Sequence, residues 1–361
     1  MRGGAYNAPI MTETTVMDSY PATLSTEAAI DAFMTRPYPE VVELMRRLPG
    51  DLAILGVAGK MGITLGATAV AASRAAGVER TVYGVSRFSN QAAYDAVAQA
   101  GMTPLRCDLL DAAAVAKLPR VPNVIFMAGR KFGTTGGEEQ TWAINTLTPA
   151  RVCDHFTDSR IVAFSTGCVY PLVPSDGPGC SESTPAAPVG EYAQSCLGRE
   201  RIFTYYSKRN GAPVCLLRLN YSLDLRYGVI HDLATRVWQG QPVPLQVPVF
   251  NGLWQGDANN LTLLTLEAAE TPAAILNLTG PETLSVRETA ERLAERLGKP
   301  VRFEGAPGST AYLNDASRLY ARLGRPRVPI GRVIDWTADW VRAGGLSYGK
   351  PTHFEVSTGT F

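Results

Sequence analysis

Two kinds of residue in this chain have evident chemistry: closely spaced glycines that admit a phosphate, and single polar side chains at the ends of apolar runs. The glycines lie in Asp51-Leu-Ala-Ile-Leu-Gly56-Val-Ala-Gly59-Lys60-Met61-Gly62. Four apolar residues closing on Gly56 predict a buried strand, and the small-residue run from Leu65 to Ala76 predicts a helix directly after it. Between them, Gly56 suits a tight turn and Gly59 a close approach of backbone to a pyrophosphate. Gly62 suits helix packing, with the helix N-terminus facing the anion. The spacing is GxxGxxG rather than GxGxxG, so its placement between strand and helix carries the reading more than the triplet does. Dinucleotide binding is the chemistry it predicts, a plain turn the other reading.

From Asp51 onward, apolar runs and helical patterns alternate. This predicts an α/β protein with a Rossmann-type, doubly wound parallel sheet covered on both faces. After the first strand, strands are expected at Thr81–Val85, Pro104–Asp108, Asn123–Met127 and Ile161–Ser165, with helices at Asn90–Ala100, Ala112–Leu118 and Thr141–Phe156. Ligands of such sheets sit beyond the carboxyl ends of the strands, so the residues there matter most. The second strand runs into Ser86 and Arg87, where an NAD-preferring protein would carry an acidic residue for the ribose. Arg87 suits a 2′-phosphate instead, so NADP is the expected cofactor and NAD the other option. Lys60 adds to that site, reaches the pyrophosphate, or is a solvated surface charge. Asp108, followed by Leu109, accepts from the adenine amine or caps the next turn. Ala128 and Gly129 leave room for a flat cofactor ring.

The elements that must position these residues fit in 361 residues, enough for one large or two moderate domains. Lys plus Arg (34) nearly balances Asp plus Glu (33), so no overall field recruits nucleic acid or an anionic membrane. No apolar run approaches the ~20 residues of a membrane span, and no signal peptide is evident, so the expected location is the cytoplasm. The six cysteines, Cys107, Cys153, Cys168, Cys180, Cys196 and Cys215, show no metal-ligand spacing, and no metal site is expected. Residues 1–47 read as an extension, disordered through Met1–Pro21 and then helical from Ser25 and from Pro39.

The series GVAGKMG, CDLLD, MAGRKF, Asn145 in the following helix, FSTGCVYP and PVGEYAQSCLGRERIF resembles the extended short-chain dehydrogenase/reductase superfamily, in its NAD-dependent epimerase/dehydratase branch. The resemblance runs over about residues 48 to 345 and includes Leu216-Leu-Arg218-Leu-Asn220, Gln255-Gly-Asp257-Ala-Asn259 and Leu313-Asn-Asp-Ala-Ser317. It implies a Rossmann domain over 48–217, and a smaller C-terminal substrate domain over 218–345 with segments returning to the first. Residues 346–361 form a tail beyond the usual family end, which folds back as a lid or joins a homodimer.

The family's catalytic hydroxyl maps onto Thr166 and the tyrosine of its YxxxK motif onto Tyr192. The lysine position is Cys196. The family lysine binds the nicotinamide ribose and its charge lowers the tyrosine pKa, neither of which a neutral thiol does. Arg130 or Lys131, in the loop after the fourth strand, is the expected replacement, with Lys131 chosen as catalytic. Gly56, Gly59, Lys60, Met61, Gly62, Ser86, Arg87, Asp108, Leu109, Ala128, Gly129 and Asn145 are expected at the cofactor, Asn220 and Arg226 at the substrate. Arg226 has a second reading, an ion pair with Asp224 or Asp232. Nucleotide-sugar members carry an arginine for the diphosphate where this chain has Phe250, which favours smaller polyols or sugar acids. The implied activity is an NAD(P)-dependent oxidoreductase or epimerase/dehydratase on a polar hydroxyl or carbonyl compound. The alternative is an impaired NAD(P)-binding regulator or scaffold of the same fold.

Overall fold

The computed structural model describes residues 20–131, 133, 134, 136–350, 352–356 and 359. The disorder expected of Met1–Pro21 therefore lies, up to residue 19, outside the described residues. Helices α1 (Glu27–Met34) and α2 (Pro39–Arg47) come first. Strand β1 (Leu52–Leu55), α3 (Gly62–Ala75), β2 (Val82–Ser86), α4 (Gln91–Gln99), β3 (Thr103–Arg106), α5 (Ala112–Val115) and β4 (Asn123–Phe126) follow in strict alternation. A composite helix then joins α6 (Glu138–Trp142) to α7 (Thr148–His155) through a π-helical turn at Ala143–Leu147. Strand β5 (Arg160–Thr166), the long α8 (Gly190–Asn210) and β6 (Val214–Leu219) come next. The chain continues through α9 (Val229–Trp238) and α10 (Gln255–Leu264) to β7 (Ala274–Leu278), then α11 (Val286–Leu297), α12 (Ser317–Leu323) and α13 (Ile330–Arg342).

The seven strands form one parallel sheet in the order β7-β6-β5-β4-β1-β2-β3. Chain direction across the sheet reverses between β1 and β4, which opens a crevice at their carboxyl ends. Both β1 and β4 are buried along their whole length, as their unbroken apolar sequences require in a sheet covered on two faces. The expected strands are present, with β3 ending at Arg106. Two layers of core lie on either side: α2, α3 and α10 on one face, and α7 and α8 on the other. A further apolar core joins α1 to α9, α11 and α13.

The N-terminal helices are part of these cores rather than decoration on them. Thr26 caps α1 by accepting the Ala29 amide, and Pro39 opens α2 where a missing N–H costs nothing. Ile30, Met34, Val41, Leu44 and Met45 have no solvent exposure. The tail also folds back. The Thr352 amide and hydroxyl both donate to Asp232 on α9, at 2.8 and 2.6 Å, and Phe354 is buried. Among the described residues no helix is long and apolar enough to cross a membrane.

Because Leu44 is wholly enclosed, Leu44→Ala should lower stability by about 2–5 kcal/mol in urea denaturation. A loss below about 0.5 kcal/mol, the usual range for a surface change, would show that α2 is dispensable to the fold.

Candidate active site

The glycine loop sits at the sheet's reversal point. Gly56 adopts φ +94°, and a side chain there would meet the Ala128 amide nitrogen at 2.6 Å, so only glycine lets the loops after β1 and β4 touch. Gly59 is different: a Cβ there would meet only the Gly56 carbonyl, at 3.3 Å, which leaves its outer side open. The α3 N-terminus has no side-chain cap; the Gly62 amide donates to the Gly59 carbonyl at 3.2 Å, and the positive end of the helix remains directed at an anion. Those features fit a pyrophosphate.

A cavity of about 280 Å³ extends from this loop across the ends of β4, β5 and β6. Gly56, Gly59, Lys60, Met61 and Gly129 line it on one side, and Thr166, Tyr192 and Asn220 on the other. Thr166 ends β5 and caps the following turn by accepting the Cys168 amide at 3.2 Å. Its hydroxyl also hydrogen-bonds Tyr192. Burial holds the Tyr192 phenol well above its usual pKa; Cys196 and Cys168 push the same way, while Arg199 and Thr166 oppose them. Cys196 is fully buried, and burial pushes its thiol up to about 11, so it is a neutral thiol near pH 7. Asn220 is tied to the Asn251 side chain (2.7 Å) and the Tyr312 carbonyl (3.2 Å), which hold the cavity's far wall.

Asn145 occupies the π-helical turn, a device that re-aims one side chain out of a helix. Its carboxamide oxygen accepts the Arg130 amide (3.0 Å) and Arg199 Nη2 (2.6 Å). Its nitrogen donates to the Arg130 carbonyl (3.2 Å) and to Ser195 Oγ (2.8 Å). Arg199 also donates through Nη1 to the Phe164 carbonyl at 2.9 Å, and it lines the cavity. Sequence reasoning missed Arg199, although it lies seven residues after Tyr192 and therefore on the same helix face.

The other expected residues divide. Lys131 lines the cavity, and its Nζ donates to the Thr352 carbonyl of the tail at 3.4 Å; burial lowers its pKa. Arg130 points elsewhere, to Gln140 and the Gly133 carbonyl. Arg87 is exposed beyond β2, beside the half-buried Ser86. Asp108 accepts the Leu110 amide at 2.9 Å and so closes its own turn, with Leu109 buried beneath it.

Two expectations need correction. Lys60 does not join Arg87 beyond β2. It reaches towards the β6 side, donating to the Ser222 carbonyl at 3.1 Å with its ammonium 3.5 Å from the centre of the Tyr227 ring, an aromatic face that suits a desolvated cation. Arg226 does not face the cavity. It is 2% exposed and bound to Asp224 (3.1 Å) and to Asp31 of α1 (2.7 Å), the ion-pair reading with a partner from the N-terminal extension. Trp254 lies in the core against Phe33 and Trp336.

Residues 52–246, more than half the chain, match the sequence model of the NAD dependent epimerase/dehydratase family. The chain belongs to that family. Its members are NAD-dependent enzymes, and in a Rossmann-type sheet ligands sit in the crevice where the strand order reverses. The fold is similar to dTDP-glucose 4,6-dehydratase DesIV of Streptomyces venezuelae, solved with NAD and TYD bound, at TM-score 0.69 and 22% identity over 81% of this chain and 97% of that one. It is likewise similar to UDP-glucose 4-epimerase of Thermus thermophilus in complex with NAD (0.66; 23%; 81% and 99%). A third likeness is to UDP-glucuronic acid 4-epimerase of Bacillus cereus with UDP-glucuronic acid and NAD (0.66; 16%; 81% and 99%). At these identities the likeness is one of fold. No curated protein matches the chain in sequence.

Burial pushes Lys60 down to about 7, with Asp224 and Asp232 acting against it. Its unfolded value is the ordinary 10.5, so between those limits the unfolded chain holds a proton that the folded chain releases, and stability should rise with pH. Urea denaturation of the native protein and of Lys60→Met at about pH 7.5 and about pH 8.5 should show the native protein gaining on the variant by up to ~1.4 kcal/mol. A difference that stays flat would place the Lys60 ammonium in water.

Proposed function

We propose that this family member uses NADP(H) to transfer a hydride and a proton at a carbon–oxygen group of a polar substrate, with a sugar acid the best fit. The observation that carries the reading is that the open side of Gly59, the uncapped α3 N-terminus, Thr166 and Tyr192 all meet at one cavity. The nicotinamide, when bound, supplies or accepts the hydride. Tyr192 exchanges the matching proton with the substrate oxygen, and the Thr166 hydroxyl orients that oxygen. The α3 N-terminus and the open side of Gly59 hold the pyrophosphate.

The substrate class follows from charge. Among the described residues that line the cavity, Lys60, Lys131 and Arg199 are cationic and none is a carboxylate. An anionic group on the substrate offsets the burial that penalises the charges of Lys60 and Lys131. Phe250 is 1% exposed and packed in the core, so it offers nothing to a nucleotide diphosphate. That favours a small acid over a nucleotide sugar. Arg87, exposed at the ribose end of the crevice, selects the 2′-phosphate.

Titration with NADPH and NADH, read by their fluorescence, tests the cofactor. NADPH should bind at least tenfold more tightly, and Arg87→Ala should erase that margin, a charge-assisted contact of ~1.5–3 kcal/mol. Equal or tighter binding of NADH ends the NADP assignment. Gly59→Val should bind neither dinucleotide while keeping the native circular dichroism; unchanged affinity would reduce the loop to a turn. With a panel of sugar acids and NADP⁺, the native protein should form reduced cofactor and Tyr192→Phe should not. Binding without turnover of any acid, aldose or polyol would favour a nucleotide-binding regulator.

A further inference from the structure

We propose that Arg199 is the positioning residue that supplies, beside Tyr192, the positive charge carried in this family by the lysine whose place is taken by Cys196. The inference rests on the functional reading above and names a part of its machinery.

The geometry is specific. Tyr192, Cys196 and Arg199 lie at i, i+4 and i+7 on α8, so they share one helix face, and both Tyr192 and Arg199 line the cavity. Arg199 is 5% exposed. Such a buried cation is normally matched by a carboxylate. The neighbouring Arg218 follows that rule, held by Glu200 at 2.7 Å. For Arg199, no carboxylate among the described residues lies within ion-pair distance, and its acceptors are neutral: the Asn145 carboxamide and the Phe164 carbonyl. Its Nε has no partner among the described residues. The site keeps a full positive charge uncompensated at the wall of a cavity, and a guanidinium stays charged at any working pH.

The surroundings are shaped to hold it there. A Cβ on Gly129 would lie 2.6 Å from Arg199 Nη2, so the glycine after β4 makes room for the guanidinium. The Phe126 ring lies 5.6 Å from its central carbon. Asn145, fixed by the loop after β4, sets the direction of Nη2. Among the described residues, those acting on Tyr192 include Thr166 and Cys168 from the end of β5 and Cys196 and Arg199 from α8 itself, and the same two cysteines act on Lys131. Arg199 acts on Tyr192 in the direction that favours its phenolate. A phenol that must give up and regain a proton in a buried site needs such a charge.

The test reads the fixed charge rather than turnover. Oxidised nicotinamide carries a positive charge and the reduced ring does not, so a cation beside it weakens the oxidised form relative to the reduced one. Dissociation constants for NADP⁺ and NADPH are measured by calorimetry for the native protein, Arg199→Gln, Arg199→Lys and Lys131→Met. Gln keeps an amide donor for Asn145, which guards against misfolding, and Lys keeps the charge. Arg199→Gln should lower the NADP⁺/NADPH ratio of dissociation constants about tenfold, ~1.4 kcal/mol. Arg199→Lys should stay within about twofold of native, since it retains the charge, and Lys131→Met shows whether the second cation at the cavity carries the effect instead. Cys196→Lys placed in the Arg199→Gln background should restore the native ratio. An unchanged ratio in Arg199→Gln makes the arginine structural and overturns the proposal, as does a shift found in Lys131→Met instead. If the native protein binds neither dinucleotide, the functional reading itself fails, an outcome distinct from both.

Discussion

The site depends on one side chain that uses every hydrogen bond it can make. Asn145 accepts two and donates two, joining the backbone of the loop after β4 to Ser195 and Arg199 of α8. A regular helix from Glu138 to His155 would not aim residue 145 this way; the π-helical turn does, at the cost of weaker helical bonding. Removing one partner would strand buried polar groups that have no water to turn to, each worth ~1–3 kcal/mol. The strands are held by burial, but the register between the β4 loop and the helix that carries Tyr192 is held by this amide.

Two buried arginines show how differently the chain treats charge. Arg218 and Glu200 form a bidentate pair, to which Ser165 adds its hydroxyl, and the pair is neutral as a unit. It ties β5, β6 and α8 together and leaves nothing for chemistry. Arg199, one position before that glutamate, has only neutral acceptors. Burying such a charge is unfavourable, and neutral acceptors satisfy its hydrogen bonds without balancing its charge. The arrangement is intelligible where the charge acts on something else.

Much of the architecture was legible in the chain, for a physical reason. Strands buried on both faces must be apolar throughout, so β1, β2, β4 and β5 could be read directly, as could the glycines that let backbones touch. The helix starts read at Ser25 and Pro39 match the observed helices, the first capped by Thr26 and the second opening on Pro39. What stayed hidden was long-range reach. Lys60 spans from the first loop to residue 222, and Arg226 finds Asp31 across 195 positions. No periodicity encodes such contacts, because a long flexible side chain answers to its final neighbours rather than to its place in an element. Arg199 differs: it lies at helical spacing from Tyr192, but the family motif marks residue 196 instead.

The tail completes the electrostatics. Thr352 is anchored by Asp232, and its carbonyl receives Lys131, so the segment brings a neutral acceptor to a lysine whose charge burial penalises. Asp232 thereby directs its hydrogen-bonding capacity to the tail rather than to the cavity, and Asp224 is likewise engaged by Arg226. Both carboxylates sit close enough to raise the pKa of Lys60, yet neither forms an ion pair with it among the described residues. The consequence is a cavity whose acidic neighbours are held back from its lining while its cations face inward. On the proposed reading, such an arrangement would favour anions over neutral ligands of equal shape, as the low dielectric of a buried space strengthens charge interactions.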